Sequence, residues 1–252
     1  MTEKPTLILF TGAASGLGKE VLEFLKSSEA INEASVRFFK AGRRSEDDFA
    51  FDLDDQKNGM SLSNFDLVFH FAWDRADLTD NSRNIRATRF LVNEAKKSNS
   101  RLVLISSVEA RQGCSGYAKQ KKYCEDLVIT AGGIVLRLGA VIGGRNDFFS
   151  QLRNITSIGP FRISLFPDPL LETTRFETLV DKITKIILIE HAPCVDTLVD
   201  ESSNLSDILK VRNREVNIWV PFRLVRTLLY MGGLLVPAIG VWRDRFMALE
   251  TR

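Results

Sequence analysis

The stretch Leu7–Gly18, LILFTGAASGLG, is the feature that most constrains how this chain can fold. Its first residues form a short apolar run, which is typical of a central strand buried on both faces. Gly12, Gly16 and Gly18 then lead into the amphipathic segment Lys19–Lys26. Glycines also serve ordinary tight turns. After an N-terminal strand, however, such a turn predicts a dinucleotide pyrophosphate site, because backbone N–H groups and the helix dipole converge there.

The composition is that of an ordinary globular protein and excludes several functional classes. The chain has 252 residues, 44% of them hydrophobic and 26% charged, which allows one domain with a small appendage. A net charge of +2 without an aromatic-interleaved basic stripe argues against nucleic-acid binding. Three widely spaced cysteines lack metal-ligand spacing, which predicts reduced thiols and no metal site. Since the first strand begins at Leu7, we expect no signal peptide and a cytoplasmic location.

Strand and helix patterns alternate through the first 145 residues. Apolar runs predict further strands at Val36–Ala41, Phe49–Leu53, Leu67–Phe71, Leu102–Ile105 and Ile134–Leu138, with helices at Asn84–Lys97 and from Tyr117 to about Ile129. This alternation predicts an α/β fold with a Rossmann-type, doubly wound parallel sheet. His70 lies inside an apolar run, so we expect a hydrogen-bonded core histidine rather than a catalytic one.

The end of the second predicted strand bears on the choice of cofactor. An acidic residue at this position accepts from the ribose hydroxyls, whereas arginine pairs with a 2′-phosphate. The strand is followed by Arg43 and Arg44, which favours NADP(H) over NAD(H). A solvated basic turn is the alternative, since Glu46, Asp47 and Asp48 lie close by.

Tyr117 and Lys121 are four residues apart, which places both on one face of the predicted helix. A lysine ammonium beside a phenol lowers the phenol's pKa, so that the tyrosine can act as an acid or base. A serine just after the preceding strand, where Ser106 and Ser107 stand, could hold a substrate oxygen.

Together these residues resemble the short-chain dehydrogenase/reductase superfamily, and more narrowly its extended branch of sugar-nucleotide epimerases, dehydratases and reductases. The resemblance covers about residues 5–145. It rests on the glycine-rich turn, DLDD at 52–55, HFAW at 70–73, Asn84 before a leucine-bearing helix, LVLISS at 102–107, Tyr117-x-x-x-Lys121 and LRLGAVIGG at 136–144.

The resemblance implies a role for each matching residue. Tyr117 would be the catalytic acid/base, Lys121 would bind the nicotinamide ribose, and Ser107 would hold the reacting oxygen. Ser106 would replace Ser107 if the register were shifted by one. The implied cofactor contacts are Gly12, Ser15, Gly16, Leu17 and Gly18 at the pyrophosphate, Arg43 and Arg44 at the ribose, Asp52 and Leu53 at the adenine, and also Phe71, Ala72, Trp73, Asn84, Tyr117 and Lys121.

The chain departs from the extended pattern at four places. Its turn has the glycine spacing of classical members, with Ser15 where the extended spacing has glycine. Trp73 replaces a small residue near the cofactor, and Ala140 stands where epimerases of this branch often have a polar substrate contact. The segment between Ser107 and Tyr117 is shorter than in the extended enzymes.

Beyond residue 145 the alternation is lost, and we expect a Rossmann domain at 1–145 followed by a small substrate-binding lobe at 146–252 interleaved with the sheet. The predicted elements are helices at Phe148–Ile155, Thr178–Ile189 and Leu205–Lys210, a strand at Thr197–Val199, and a proline-punctuated connection at Ile158–Pro169. Four arginines are candidates to meet a substrate diphosphate, although each alone is more often a surface residue: Arg145, Arg153, Arg162 and Arg175.

The uncharged segment Thr227–Trp242 is short for a membrane span, so we predict no transmembrane helix. Arginines on both sides would suit a helix lying on an anionic membrane, which allows peripheral contact through residues 223–245. A broken pair of core helices closing the small lobe is the favoured alternative.

The sequence thus predicts a cytoplasmic NAD(P)-dependent oxidoreductase acting on a nucleotide-activated sugar, most simply a keto-sugar reductase with Tyr117 as acid/base. Reduction is preferred because Arg43 and Arg44 favour exchangeable NADPH, whereas epimerases of this branch tend to retain NAD. The alternatives are an NAD-dependent sugar-nucleotide 4-epimerase and a non-catalytic NADPH-binding regulatory protein. The resemblance also implies a homodimer formed through the helices at Asn84–Lys97 and Tyr117–Ile129.

Overall fold

A computed structural model of the chain divides into two compact units. It describes residues 4–54, 60–74, 77, 79, 81–113, 115–145, 149, 152–153, 157–158, 161–188, 193–209, 216–221 and 223–225. The first unit comprises Met1–Leu138 and Arg175–Leu198, and the second comprises Gly139–Thr174 and Val199–Arg252. The sequence predicts a single boundary at residue 145, whereas the first unit is discontinuous, because Arg175–Leu198 returns to add a strand to its sheet.

The first unit alternates strands and helices as the sequence predicts. Its elements are β1 (Thr6–Thr11), α1 (Gly16–Ser27), α2 (Glu29–Glu33), β2 (Val36–Gly42), β3 (Phe49–Ala50), β4 (Leu67–His70), α3 (Arg83–Ser98), β5 (Arg101–Ser107), a 3₁₀ turn (Val108–Arg111), α4 (Gly116–Thr130), β6 (Ile134–Leu138), α5 (Phe176–Leu188) and β11 (Val195–Leu198).

Seven described strands form one parallel sheet in the order β11-β6-β5-β4-β1-β2-β3. The chain passes from β1 outward to β2, and later from β4 outward in the opposite direction through β5 and β6. Right-handed crossovers therefore place α1 on one face of the sheet and α3 and α4 on the other. The predicted Rossmann-type doubly wound sheet is confirmed.

The apolar run of β1 is buried because it lies in the middle of this sheet. Ile8, Leu9 and Phe10 are fully buried, and the Phe10 ring stacks on Phe69 of β4 with 5.0 Å between ring centroids. Local signals set the helix ends: the Ser15 side chain caps α1 by accepting from the Gly18 N–H. Helices α3 and α4 begin in the same way, at Ser82 and at Ser115.

Among its described residues the second unit contains two small sheets, and the predicted helix at Leu205–Lys210 is found there as Leu205–Leu209. Its described elements are β7 (Ala140–Ile142), β8 (Ser157–Ile158), β9 (Phe161–Phe166), β10 (Leu170–Arg175), β12 (Glu201–Asn204), α6 (Leu205–Leu209) and β13 (Val216–Pro221). The sheets have the orders β12-β10-β7 and β13-β9-β8.

The segment Ile158–Pro169, expected as a connection, in fact contains strand β9. Its parallel partner β13 lies about fifty residues further along the chain, so the local sequence gives no sign of the pairing. The predicted helix Phe148–Ile155 lies largely outside the described residues.

Within the described ranges, no helix is both long enough and apolar enough to cross a bilayer. The uncharged segment Thr227–Trp242 and most of residues 223–245 lie outside those ranges.

Candidate active site

The glycine-rich turn after β1 is closely packed on one side and open on the other. Gly12 has a φ of +73°, and a Cβ there would lie 2.5 Å from the backbone nitrogen of Ala72. A Cβ on Gly18 would lie 2.5 Å from the carbonyl oxygen of Gly12, which is also the acceptor for the Ser15 hydroxyl at 2.6 Å. At Gly16, by contrast, a Cβ would meet nothing within 4 Å. Close packing thus explains why Gly12 and Gly18 carry no side chain, whereas the absence of a side chain at Gly16 leaves space at the start of the helix.

This space fits the pyrophosphate of a dinucleotide. The first hydrogen bond of the helical ladder runs from the Lys19 N–H to the carbonyl of Ser15 at 2.8 Å. The amides of Gly16 and Leu17 precede that bond, at the positive end of a helix whose first turn carries no acidic residue. These backbone N–H groups are therefore suited to bind an anion.

The carboxyl ends of three neighbouring strands bring most of the predicted cofactor residues to one edge. Thr11 of β1 is in register with Ala41 of β2 and with His70 of β4. Strand order reverses direction at β1, and ligands of open α/β sheets bind outside such a switch point. Gly12, Arg43 and the loop from Phe71 therefore leave the sheet side by side.

The turn after β2 presents both arginines to solvent and also an acidic group that sequence reasoning did not weigh as a ligand. Arg43 and Arg44 are exposed. The Asp47 carboxylate folds back over the end of the strand: it accepts from the Arg44 N–H at 2.9 Å, and a Cβ on Gly42 would collide with it. This turn thus contains groups of both charges where an adenosine ribose would lie.

The remaining cofactor contacts predicted from the resemblance are held by the protein itself. The Asp52 carboxylate accepts from the Asp54 N–H at 3.0 Å, and Leu53 packs against the core. The buried Asn84 amide exchanges two hydrogen bonds with the backbone of Asp74, at 2.7 and 2.6 Å. The structure thus brings Asn84 to the loop that follows β4, where it fixes the backbone.

His70 is a hydrogen-bonded core residue, as the sequence predicts. Its Nδ1 lies 2.7 Å from the Thr11 hydroxyl and its Nε2 lies 3.3 Å from the Thr88 hydroxyl. Because the Thr88 hydroxyl donates to the carbonyl of Asn84, it accepts from Nε2, so the imidazole is the neutral Nε2–H tautomer. Burial and then the charge of Lys121 lower the pKa of His70 to about 3.

Tyr117 and Lys121 lie together on one face of α4, as their spacing predicts. The Lys121 Nζ is 5.9 Å from the centre of the Tyr117 ring, and it donates to the carbonyl of Ile105 at 2.7 Å. The indole of Trp73 covers the same ammonium, with Nζ 3.6 Å from the ring centre. The Trp73 and Tyr117 rings meet edge to face, with centroids 6.0 Å apart. The pair therefore stands beside an aromatic side chain from the loop after β4.

The two serines that end β5 have different environments. The Ser106 hydroxyl is buried and donates to Glu125 at 2.6 Å, whereas Ser107 is half-buried and accepts from the Glu109 N–H at 3.3 Å. Glu125 is fully buried and forms a two-pronged ion pair with Arg137 of β6, with distances of 2.7 and 3.1 Å. These charge-assisted bonds raise the pKa of Arg137.

Sequence reasoning missed this Glu125–Arg137 pair, although one signal was available. Glu125 continues the spacing of four set by Tyr117 and Lys121, so it lies on the same face of α4.

The four arginines proposed for a substrate diphosphate have separate settings. Arg153 donates to the carbonyls of Ile208 and Leu209 at the end of α6, at 3.0 and 3.2 Å. Arg145 and Arg175 are exposed, and the side chain of Arg162 is outside the described set. Among the residues that the structure describes, no group of three or more His, Cys, Asp or Glu side chains could hold a metal ion.

The fold is shared with solved structures of sugar-nucleotide enzymes. A hypothetical dTDP-4-dehydrorhamnose reductase from Sulfolobus tokodaii has a TM-score of 0.68 and 16% identity over 85% of this chain and 86% of that one. The Helicobacter pylori ADP-L-glycero-D-manno-heptose-6-epimerase has a TM-score of 0.66 and 14% identity over 86% of each chain. MoeE5, solved with UDP-glucuronic acid and NAD, has a TM-score of 0.63 and 19% identity over 85% of each chain.

These likenesses show the class of fold, which is a Rossmann-type α/β fold. No family model matches the sequence, and a search of curated proteins found no match.

Proposed function

We propose that the chain is an NAD(P)-dependent oxidoreductase that acts on a nucleotide-activated sugar and reduces a keto group. One observation carries the proposal: Tyr117 and Lys121 lie together beside the end of β5, at the same edge of the sheet as the glycine turn before α1. A proton donor and an anion site at one sheet edge are what such a reduction needs.

Each residue has a definite task in this reaction. A nicotinamide cofactor, when bound, supplies the hydride. The Tyr117 hydroxyl gives its proton to the sugar oxygen as the carbonyl becomes an alcohol, and the Ser107 hydroxyl orients that oxygen. The Lys121 ammonium sets the charge around Tyr117, while the amides of Gly16 and Leu17 bind the pyrophosphate.

The neighbours support the proposed substrate class. The structures similar to this chain include an ADP-heptose epimerase and a dTDP-4-dehydrorhamnose reductase, and the similar MoeE5 was solved with UDP-glucuronic acid. All three act on or bind a sugar joined to a nucleoside diphosphate. The same class of substrate is therefore proposed here, together with the homodimer through α3 and α4 that the sequence predicts.

Cofactor choice separates the proposed reductase from the 4-epimerase. The exposed Arg43 and Arg44 favour the 2′-phosphate of NADPH, and hence an exchangeable reductant. One observation favours the epimerase: the Asp47 carboxylate lies against Gly42, where it would accept from a ribose hydroxyl and repel a phosphate. MoeE5, which has a similar fold, was solved with the unphosphorylated cofactor NAD.

The proposal is tested by replacing the acid/base. The Tyr117→Phe variant should lose about a hundredfold or more of the NADPH-dependent reduction of keto-sugar nucleotides, since a positioned proton donor contributes that much. Its affinity for NADPH should be unchanged.

Tyr123→Phe is the matched control, because Tyr123 is exposed on the same helix and its hydroxyl accepts a hydrogen bond from Arg89 at 2.9 Å. Turnover by Tyr117→Phe at the wild-type rate would contradict the assignment.

A further inference from the structure

The ammonium of Lys121 is enclosed in the structure. Only 4% of the residue is exposed, its Nζ donates to the carbonyl of Ile105 at 2.7 Å, and the indole of Trp73 covers it at 3.6 Å from the ring centre. A cation at this distance over an indole face is held by the ring quadrupole. A ribose hydroxyl could reach this nitrogen only after the indole has moved.

The indole is not anchored by its own polar atom. Its Nε1–H is buried and has no hydrogen-bond acceptor among the residues that the structure describes. A buried donor without an acceptor carries a desolvation penalty, so the observed position is one that the indole can leave at a reduced cost. The Tyr117 ring meets its edge, so a moving indole also changes access to the hydroxyphenyl group.

The two halves of the candidate cofactor site therefore differ in how accessible they are to a ligand. At the glycine turn, the space beside Gly16 is open to a pyrophosphate. At the Tyr117–Lys121 pair, Trp73 occupies the side from which a second ribose would approach. We propose that Trp73 is a specificity-determining gate: the adenosine diphosphate half of a dinucleotide binds without rearrangement, and the nicotinamide riboside half binds only by displacing this indole.

This inference rests on the proposed function, because it assumes a dinucleotide ligand. It goes further by dividing that ligand into two halves with different costs of binding. Removing the indole should strengthen binding of the whole dinucleotide and leave binding of ADP, which lacks the second ribose, as it was.

The test is calorimetric titration of the full chain with NADPH, NADH and ADP. Trp73→Ala should raise the affinity of the protein for its preferred dinucleotide about tenfold, because the dinucleotide no longer has to break the cation–π contact between Trp73 and Lys121. The affinity for ADP should be unchanged. Trp73→Phe should give a smaller gain, because a phenyl ring still covers the ammonium. Trp219→Phe, which alters an exposed tryptophan of β13, should change neither affinity.

Intrinsic fluorescence gives a second readout. Oxidised cofactor should change the tryptophan emission of the wild-type chain and of Trp219→Phe, whereas ADP should not, and the change should be absent in Trp73→Phe. Dinucleotide affinity that is unchanged or weakened in Trp73→Ala, with ADP still bound, would overturn the gate and leave the proposed function standing. Failure of both the wild type and Trp73→Ala to bind any of the three ligands would overturn the proposed function as well.

Discussion

At the scale of single residues, His70 shows how burial fixes a charge state. Its folded-state pKa of about 3 lies below the ordinary value of 6.5, first because the ring is buried and second because Lys121 is near. The hydroxyls of Thr11 and Thr88 form hydrogen bonds with the two nitrogens of the neutral ring. The imidazole of the unfolded chain takes up a proton near pH 6.5, whereas the folded one does not, so acid favours unfolding.

We therefore expect the free energy of unfolding to fall as the pH drops from about 6.5 towards 3, by up to about 1.4 kcal/mol per pH unit from this group. Urea denaturation at pH 7.5, 6 and 5 measures it. His70→Gln should flatten the slope in this window, because the substituted side chain takes up no proton. An equal slope in His70→Gln and wild type would show that other groups cause the acid sensitivity.

The arginines after β2 give a second prediction at this scale. The double change Arg43→Ala and Arg44→Ala should weaken NADPH binding at least about tenfold, because a 2′-phosphate loses its charged hydrogen-bond donors. NADH binding should change little.

Arg37→Ala is the control, since Arg37 is an exposed arginine near the other end of the same strand. If Asp47→Ala strengthens NADPH binding while the arginine variants have no effect, the carboxylate, not the arginines, determines cofactor choice.

At the scale of elements, helix α4 joins the candidate site to the core. Tyr117 and Lys121 lie on the same helix face as Glu125, whose carboxylate holds the Ser106 hydroxyl and Arg137. Breaking a buried pair from one side leaves a charge without its partner, which typically costs about 3–5 kcal/mol. The pair therefore fixes α4 against the ends of β5 and β6.

Glu125→Gln should accordingly lower the free energy of unfolding by about 3 kcal/mol, measured by urea denaturation at pH 7.5. The matched control is Asp126→Asn on the same helix, which breaks an exposed ion pair with Lys122 and should cost under about 1 kcal/mol. Equal losses in the two variants would mean that burial of Glu125 contributes nothing to stability.

The elements also show what a sequence can predict. Strand β6 is found at the predicted Ile134–Leu138, since a short apolar run in a parallel sheet is buried on both faces whatever its neighbours are. Strand β9 was missed, because its stability comes from pairing with the distant β13. The Tyr117–Lys121 face follows from helix geometry alone, but the indole above Lys121 depends on how the loop after β4 meets α4, which no local pattern encodes.

At the scale of the whole molecule, the chain returns to its first unit after starting the second. Helix α5 and strand β11 extend the parallel sheet, so the first unit is built from two separate stretches of sequence. The sequence led us to expect a lobe interleaved with the sheet, but no local pattern marks which strand returns, since β11 pairs with β6 more than fifty residues earlier. The fold that results is the one shared with the sugar-nucleotide epimerases and reductases.

Centrally, we propose that this protein binds a nicotinamide dinucleotide for redox chemistry. The most direct test is to measure the cofactor content of freshly purified protein and then to titrate it with NADPH and NADH. We predict an empty site that saturates with one dinucleotide per chain and prefers NADPH. Tightly retained NAD(H) would contradict the predicted preference and favour the epimerase. An empty site that binds neither cofactor would contradict the central claim itself.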